Sequence, residues 1–295
     1  MWYNTTNTKR NDTMLQDLDF GKLENEFYHK HPSAEDVLIC MNADKVLLRR
    51  YEDDTLELPT VGQVNTALWE HWDDEPYQYL FRVQGRDYYL WMGTPDVCDG
   101  FAYEDARRLR QMKSKEICFA IMTARHLYRW YGANRFCGRC GTPTVHDTKE
   151  RMLLCPHCGN MIFPKISPAV IVAVTDGDRL LLSKYAGRAY TRYALIAGYT
   201  EIGETLEQTV SREVMEEVGL KVKHIRYYKS QPWGVDGNIL MGFYCDLDGS
   251  DTIRLDETEL SVAEWHNRNA LPAHDDGISL TREMIRVFEE GKEPR

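Results

Sequence analysis

The 295-residue sequence lacks several features that would assign it to a common class of protein. It has no apolar run approaching the roughly 18 residues that a membrane-spanning helix needs, so we expect no membrane association. The N-terminus has no apolar segment of the kind that a secretory signal peptide carries, which indicates a cytoplasmic protein. Internal repeats and low-complexity stretches are also absent from the sequence, so a repeat architecture is not expected.

Basic residues are fewer than acidic ones: the sequence has 36 Lys and Arg and 46 Asp and Glu, which gives a formal net charge of −10. Phosphate contacts to duplex nucleic acid require clustered basic residues, so this composition argues against non-specific duplex binding. The hydrophobic fraction of 43% and the aromatic fraction of 11% are sufficient for folded cores. At roughly 100–200 residues per domain, the length suggests about two domains with a small insert.

The eight cysteines are unevenly spread, and half of them form two closely spaced pairs. The pairs, Cys137-Gly-Arg-Cys140 and Cys155-Pro-His-Cys158, are separated by 14 residues and each is followed by a glycine. This spacing is typical of a tetrahedral zinc ribbon with four thiolate ligands. Two disulfides or a redox-active pair are the alternatives, and the lack of a secretory signal disfavours them. We therefore predict a structural Zn²⁺ site with no open coordination position.

The cysteine pairs divide the chain into three predicted domains. Residues 1–130 form an N-terminal mixed α/β domain, residues 131–165 the zinc ribbon, and residues 166–295 the domain that carries the chemistry. Hydrophobic periodicity predicts strands at Asp36–Cys40, Lys45–Arg49, Gln78–Val83, Asp87–Trp91, Pro168–Thr175, Arg179–Ser183, Val222–Tyr228 and Leu240–Cys245, and helices at Val61–Trp72, Tyr103–Trp130, Thr205–Val218 and Ser279–Glu290.

The predicted helix Thr205–Val218 has several acidic residues on or beside its apolar face. At about 100° per residue, Glu213 and Glu217 fall beside the apolar residues, with Glu216 close by. A helix whose acids all face water is the simpler interpretation, but burying two like charges one turn apart without a cation costs several kcal/mol. Arg212 supplies only one positive charge. Mg²⁺ or Mn²⁺ would neutralise such a cluster, to which the preceding loop can add Glu204.

This helix and the loop before it resemble the Nudix box, Gly-x5-Glu-x7-Arg-Glu-U-x-Glu-Glu-x-Gly-U, where U is an apolar residue. Residues 198–220 match every fixed position of that motif. The resemblance implies an α+β fold, namely a Nudix α/β/α sandwich with a mixed sheet, here preceded by the four-cysteine zinc ribbon and the N-terminal mixed α/β domain. It also implies metal-dependent hydrolysis of a nucleoside diphosphate linked to another group.

A ribbon directly before the box, with Ser230-Gln-Pro-Trp233 after it, resembles the bacterial NADH pyrophosphatase (NAD-capped RNA hydrolase) family. The resemblance implies an NAD(H) diphosphatase that forms nicotinamide mononucleotide and AMP, that can remove NAD caps from RNA, and that is a homodimer. One segment departs from the family pattern SQPWPFPxSLM, because residues 234–241 read Gly-Val-Asp-Gly-Asn-Ile-Leu-Met. Selectivity for NADH therefore stays open, and a Nudix pyrophosphatase with broader dinucleotide specificity is the alternative.

The resemblance also assigns roles to individual residues around the box. Considered without the resemblance, Phe163 and Tyr199 are better explained as core residues. Among the glutamates, the sequence does not distinguish a metal ligand from the general base. The implied catalytic residues are Glu217, Glu213, Glu216, Arg212 and Glu204; the implied Mg²⁺ or Mn²⁺ ligands are Ala197 (through its carbonyl), Glu213, Glu216, Glu217 and Glu259; and the implied substrate contacts are Phe163, Tyr199, Gln231, Trp233, Asn238 and Thr281.

Two other functions remain open from the sequence. The ribbon could hold an RNA transcript, because residues 135–165 contain five basic and two acidic residues, a local charge of 5 − 2 = +3. The chain could instead be a nucleotide sensor on a Nudix scaffold without activity, although the intact glutamates of the box argue against this. Hydrolysis in the presence of Mn²⁺ discriminates between enzyme and sensor.

Overall fold

The computed structural model describes residues 14–17, 23–64, 77–93, 99–106, 114–187, 191–272 and 278–294. The chain forms two compact units. Of the described residues, the N-terminal unit contains those within Leu15–Ile166 and the loop Gly234–Gly237, and the C-terminal unit contains Met14 and those within Ser167–Trp233 and Asn238–Arg295. The predicted boundaries at residues 130 and 165 stay a prediction. Among the described helices, none combines the length and the apolar character needed to cross a membrane.

The N-terminal unit is built on a seven-stranded sheet. Its strands are β1 (Leu23–Glu24), β2 (Val37–Asn42), β3 (Lys45–Arg50), β4 (Leu56–Glu57), β5 (Tyr77–Val83), β6 (Arg86–Trp91) and β7 (Ala102–Asp105). They follow the order β1-β5-β6-β2-β3-β4, with β7 beside β3. Strands β2 and β6 are parallel, and the four strands predicted from periodicity are all present.

Two helices of the same unit lie among the described residues, α1 (Val61–Val64) and α2 (Lys115–Ala133). The helix predicted from residue 61 to 72 is confirmed through Val64, and its remainder lies outside the described residues. The predicted start of the long helix at Tyr103 is wrong, because Tyr103 lies in β7 opposite Leu47. Pairing with β3 satisfies the backbone hydrogen-bonding groups of this segment, and this outweighs the helix-like spacing of its apolar residues.

The ribbon contains three two-residue strands, β8 (Val145–His146), β9 (Leu153–Leu154) and β10 (Met161–Ile162). They pair antiparallel in the order β10-β9-β8. A sheet this small buries little apolar surface, so a ribbon of this size depends on its metal site for stability.

The C-terminal unit has a six-stranded sheet of β11 (Ser167–Asp176), β12 (Arg179–Tyr185), β13 (Ile196–Tyr199), β14 (Val222–Trp233), β15 (Asn238–Leu247) and β16 (Leu260–Asn267). Strands β11 and β15 are parallel and the other pairs are antiparallel, so the sheet is mixed. The predicted hairpin is confirmed, since Asp176 pairs with Arg179 across the turn. Strands β13 and β16 were not predicted.

Helices α3 (Leu206–Val218) and α4 (Leu280–Glu289) cover the two faces of this sheet. Alternate residues of β11 point to opposite faces, as the twofold repeat of a strand requires. Val170, Val172 and Val174 pack with the valines of α3, whereas Ile171 and Ala173 pack with the apolar residues of α4. The α/β/α sandwich with a mixed sheet is therefore confirmed.

Helix α3 begins and ends at defined capping residues. The Thr205 hydroxyl accepts a hydrogen bond from the Gln208 amide at 3.2 Å, and the Gln208 side chain accepts one from the Thr205 amide at 2.8 Å. Gly219 ends the helix in the left-handed region. These caps set which residues occupy each turn of α3, and thus the direction of its glutamates.

Candidate active site

The four ribbon thiols lie together in the N-terminal unit. Their sulfur atoms are all within 4.8 Å of one another, and the Cys137–Cys158, Cys140–Cys155 and Cys140–Cys158 separations are 3.7, 3.5 and 3.6 Å. Thiolates bound tetrahedrally at about 2.3 Å from one ion lie roughly 3.8 Å apart. All four cysteines are free, which excludes the disulfide alternative. The arrangement fits a structural Zn²⁺ site.

Each cysteine pair is held in a tight loop. The Gly141 amide donates to the Cys137 carbonyl at 2.8 Å, and the Gly159 amide donates to the Cys155 carbonyl at 3.0 Å. Both glycines have positive φ, 74° and 70°, where a side chain would be strained. The loops thus return the second thiol of each pair towards the first.

The Nudix-box glutamates of α3 occupy different environments in the C-terminal unit. Glu213 and Glu217 are buried, at 8% and 3% exposure, as the helical spacing predicts. Glu216 lies between them in the sequence, and its side chain is 59% exposed. Burial raises the pKa of the Glu213 carboxyl, and the Arg212 contact opposes that rise. A buried carboxylate needs a nearby cation, because burying an unpaired charge is energetically costly.

Arg212 holds the acidic residues around it through three nitrogen atoms. Its Nε and Nη2 donate to the two oxygens of Glu204 at 2.7 and 3.0 Å, and its Nη1 donates to Glu213 and Glu216 at 2.7 and 2.9 Å. Nη2 also donates to the Tyr199 carbonyl at 2.9 Å. The guanidinium lowers the pKa of Glu204 to about 2. One arginine against three carboxylates leaves −3 + 1 = −2, an excess suited to a divalent cation.

Strand β13 makes room for the Glu213 carboxyl group. A Cβ atom on Gly198 would lie 1.9 Å from Glu213 Cδ and 2.1 Å from each of its oxygens, so a side chain at this position would displace the Glu213 carboxyl group. The neighbouring Ala197 pairs with Ile171 of β11, which fixes the strand that carries the proposed carbonyl ligand. The hard oxygen donors in this cradle fit Mg²⁺ or Mn²⁺.

Glu259 lies at the start of β16, immediately before Leu260, and is exposed. Burial is the main cause of the raised pKa of Glu213, and the charge of Glu259 adds to it. In the described part of the chain, the ribbon thiols form a ligand group within 4.8 Å, and no such group of carboxylates occurs. Like charges repel at short range, so these acids are expected to converge only around a cation.

The two predicted ring-binding aromatics are both exposed. Phe163 is 52% exposed and Tyr199 is 54% exposed, so the interpretation of either one as a core residue is wrong. The Tyr199 hydroxyl donates to Asn238 Oδ1 at 3.2 Å, which joins β13 to the first residue of β15. An exposed aromatic on the strand that carries Ala197 and Gly198 is available for stacking on a base.

The other predicted substrate contacts surround the start of α4 and the end of β14. Gln231 is fully buried; its Nε2 donates to the Ile278 carbonyl at 2.9 Å, and its Oε1 accepts from the Leu280 amide at 2.8 Å. Gln231 therefore caps α4 here, and a direct contact with substrate would have to displace these bonds. Thr281 lies in the first turn of α4, and Trp233 pairs with Asn238. Their contact roles stay predictions.

Sequence reasoning missed Thr209, which supports the site from within α3. Thr209 has no exposed surface, and its hydroxyl contacts Glu204 Oε2 at 3.0 Å and the Thr205 carbonyl at 3.1 Å. Its position one turn after Thr205, on the buried side of the helix, was the available signal. Thr209 thus helps Arg212 to orient Glu204.

The chain is similar to known protein families, sequences and structures. Residues 165–288 match the NUDIX domain family, and residues 133–163 match the NADH pyrophosphatase zinc ribbon domain. The chain is 37% identical over 199 residues to the NAD-capped RNA hydrolase NudC of Pectobacterium atrosepticum, covering 66% of this chain and 76% of that protein. The chain belongs to the NudC family of Nudix hydrolases.

Further relatives show how far the similarity extends. The NudC protein of Stutzerimonas stutzeri is 33% identical over 233 residues, which cover 79% of this chain and 79% of that protein. A crystal structure of a NUDIX hydrolase from Nitrosomonas europaea is 23% identical, with a TM-score of 0.46, and covers 53% of this chain and 91% of that one. Membership of the NudC family accounts for the ribbon and the Nudix box in one chain.

Proposed function

We propose that this chain hydrolyses the pyrophosphate bond of NAD(H), forming nicotinamide mononucleotide and AMP. The observation that carries the proposal is the Nudix-box constellation: Arg212 binds Glu204, Glu213 and Glu216, and Gly198 clears the space that the Glu213 carboxyl group occupies. The NudC relatives are named NAD-capped RNA hydrolases, which supports an NAD moiety as the group recognised.

We assign some groups of the site to binding of the divalent cations and others to proton transfer. Ala197, through its carbonyl, and Glu213, Glu216, Glu217 and Glu259 would hold the divalent cations. Bound Mg²⁺ or Mn²⁺ would neutralise pyrophosphate oxygens and lower the pKa of a bound water. Water attacks one phosphorus atom and the bond from that phosphorus to the bridging oxygen breaks.

Glu217 is our candidate to accept the proton that the attacking water loses, because it is buried on the same side of α3 as Glu213. Arg212 keeps Glu204, Glu213 and Glu216 oriented towards one side of the helix. Tyr199 is proposed to stack on a ring of the substrate. Phe163 is proposed for the same role, on the strength of its exposure and of the family resemblance.

A substrate panel tests this function. We expect Mg²⁺- or Mn²⁺-dependent hydrolysis of NADH and NAD⁺. ADP-ribose and diadenosine diphosphate serve as competing substrates, and their hydrolysis rates relative to that of NADH measure the selectivity. Hydrolysis of the competitors at rates equal to that of NADH would instead support a broader dinucleotide pyrophosphatase. No hydrolysis of any of these substrates in Mn²⁺ would support the nucleotide sensor.

Removal of NAD caps from RNA is the second candidate function, favoured by the names of the relatives. An RNA with a 5′ NAD cap and the same RNA with a 5′ triphosphate separate the two activities in one assay. We expect release of nicotinamide mononucleotide from the capped RNA alone. The homodimer implied by the family resemblance and the cytoplasmic location predicted from the N-terminal sequence complete the proposal. The mass of the protein in solution tests the dimer.

A further inference from the structure

The first half of the segment that departs from the family pattern is a four-residue loop, Gly234–Gly237, between the ends of β14 and β15. Its flanking residues, Trp233 and Asn238, pair directly with each other. Asn238 in turn accepts a hydrogen bond from the Tyr199 hydroxyl at 3.2 Å. The loop therefore connects two strand ends next to the proposed ring-binding residue Tyr199.

Arg125 of α2 holds this loop from within the N-terminal unit. Its guanidinium is buried, with the side chain 4% exposed. Nε and Nη2 donate to Asp44 Oδ1 at 3.0 and 2.6 Å, and Nη1 donates to the Val235 carbonyl at 2.5 Å. Buried charged donors with this many partners make some of the stronger hydrogen bonds in proteins. The carbonyl of Val235 is thus fixed by a charged group that is itself fixed by Asp44.

The loop also lies too close to α2 for side chains at its glycines. A Cβ atom on Gly234 would lie 2.3 Å from the Met122 carbonyl oxygen, and one on Gly237 would lie 3.1 Å from His126 Nε2. Proline restricts a loop through its own backbone, whereas glycine gives no such restriction. Here the close fit to α2 and the Arg125 bond supply the order that the family segment obtains from two prolines and a phenylalanine.

We propose that Arg125 is a positioning residue for substrate selectivity, which acts by holding the loop Gly234–Gly237 and through it Asn238 and Tyr199. This inference rests on the proposed NAD(H) hydrolysis. The hydrogen bonds of Arg125 are to Asp44 and Val235 and to none of the proposed metal ligands, so we expect its loss to weaken the hold on the substrate ring and to leave the chemical step intact. Such a loss of uniform binding raises KM and leaves kcat unchanged.

The test compares Arg125→Ala with Lys45→Ala, a matched control that removes an exposed positive charge next to Asp44. Without the Arg125 bond, the loop has to be ordered when the substrate binds, and the loss of one hydrogen bond from a charged group then corresponds to about a tenfold change in apparent binding. We expect Arg125→Ala to raise KM for NADH about tenfold with kcat within about twofold, and to lower selectivity for NADH over diadenosine diphosphate. Lys45→Ala should behave as the unchanged protein.

Gly234→Ala provides a second variant that keeps Arg125 in place and displaces the loop through the Met122 contact. It should reproduce the rise in KM, and both variants should accelerate amide hydrogen exchange in residues 235–238. The inference is overturned if KM and exchange stay unchanged in Arg125→Ala, or if kcat falls in parallel for every substrate. Failure of the unchanged protein to hydrolyse NADH would refute the proposed function instead, while the exchange measurement still tests the Arg125 contact.

Discussion

Replacing Gly198 by alanine would place a methyl group where the Glu213 carboxyl group now lies. The added Cβ would be 1.9 Å from Glu213 Cδ, whereas carbon atoms in contact are normally about 3.5–4.0 Å apart. Because Gly198 is not among the glycines with positive φ, the backbone accepts alanine and the clash with Glu213 is the main effect. The carboxyl group must therefore move by more than about 1 Å, since the gap to normal contact is about 1.5–2 Å.

The size of the effect follows from that displacement. A misplacement of about 1 Å in a catalytic group costs about 10²-fold in rate, so we expect kcat to fall by about that factor. Overpacking of a well-packed site costs about 1–3 kcal/mol of stability, which leaves the protein folded. Mn²⁺ should also bind more weakly, because Glu213 is a proposed ligand.

The assay measures kcat for NADH, Mn²⁺ affinity by calorimetry, and thermal unfolding for Gly198→Ala beside Gly132→Ala. Gly132 lies in α2 and its Cβ would meet no atom within 4 Å, so the control makes the same chemical change in open space. The control should keep full activity. Wild-type turnover and Mn²⁺ affinity in Gly198→Ala would refute the argument that the Glu213 position governs catalysis.

Three further changes test other parts of the structure. Glu217→Gln should lower kcat by orders of magnitude with an unchanged circular dichroism spectrum, and near-normal hydrolysis would remove Glu217 from the mechanism. Cys155→Ser, at a thiol that is 1% exposed, should lower the zinc content measured by atomic emission and the thermal stability; full zinc content would contradict the four-thiolate site. Burial alone would raise the pKa of Asp87, but hydrogen bonds from Arg82 and Lys30 lower it overall. These contacts therefore stabilise the folded protein at pH values above the ordinary Asp pKa of about 3.9. The stabilisation is lost as the pH falls through the lowered pKa of Asp87. Urea unfolding of the unchanged protein and Asp87→Asn should therefore converge in stability as pH is lowered from about 5 to about 2.5, and a constant difference would contradict the linkage.

Local sequence patterns were enough to predict much of the C-terminal unit. The alternation of β11 and its turn to β12 involve neighbours in the chain, and the helical spacing of α3 correctly buries Glu213 and Glu217. The ribbon was equally accessible, because metal coordination imposes short and regular cysteine spacing. In the hairpin and in α3 the pattern lies within a few residues, and in the ribbon the short spacing within each cysteine pair marks the site.

Other features depend on pairings that no local pattern encodes. Strand β13 is four residues long and forms opposite β11, and β7 has helix-like spacing until its pairing with β3 is known. The Arg125–Asp44 bond joins residues 81 positions apart. Gln231 shows a similar limit, since its burial beneath the start of α4 follows from a contact 49 residues away.

The most direct test of the central claim is product analysis after incubating the full-length protein with NADH and Mg²⁺ or Mn²⁺. Chromatography should show equal amounts of reduced nicotinamide mononucleotide and AMP, with none formed in the presence of a chelator that removes the divalent ion. Release of free nicotinamide, or intact NADH with either ion, would contradict the account that this chain cleaves the pyrophosphate bond.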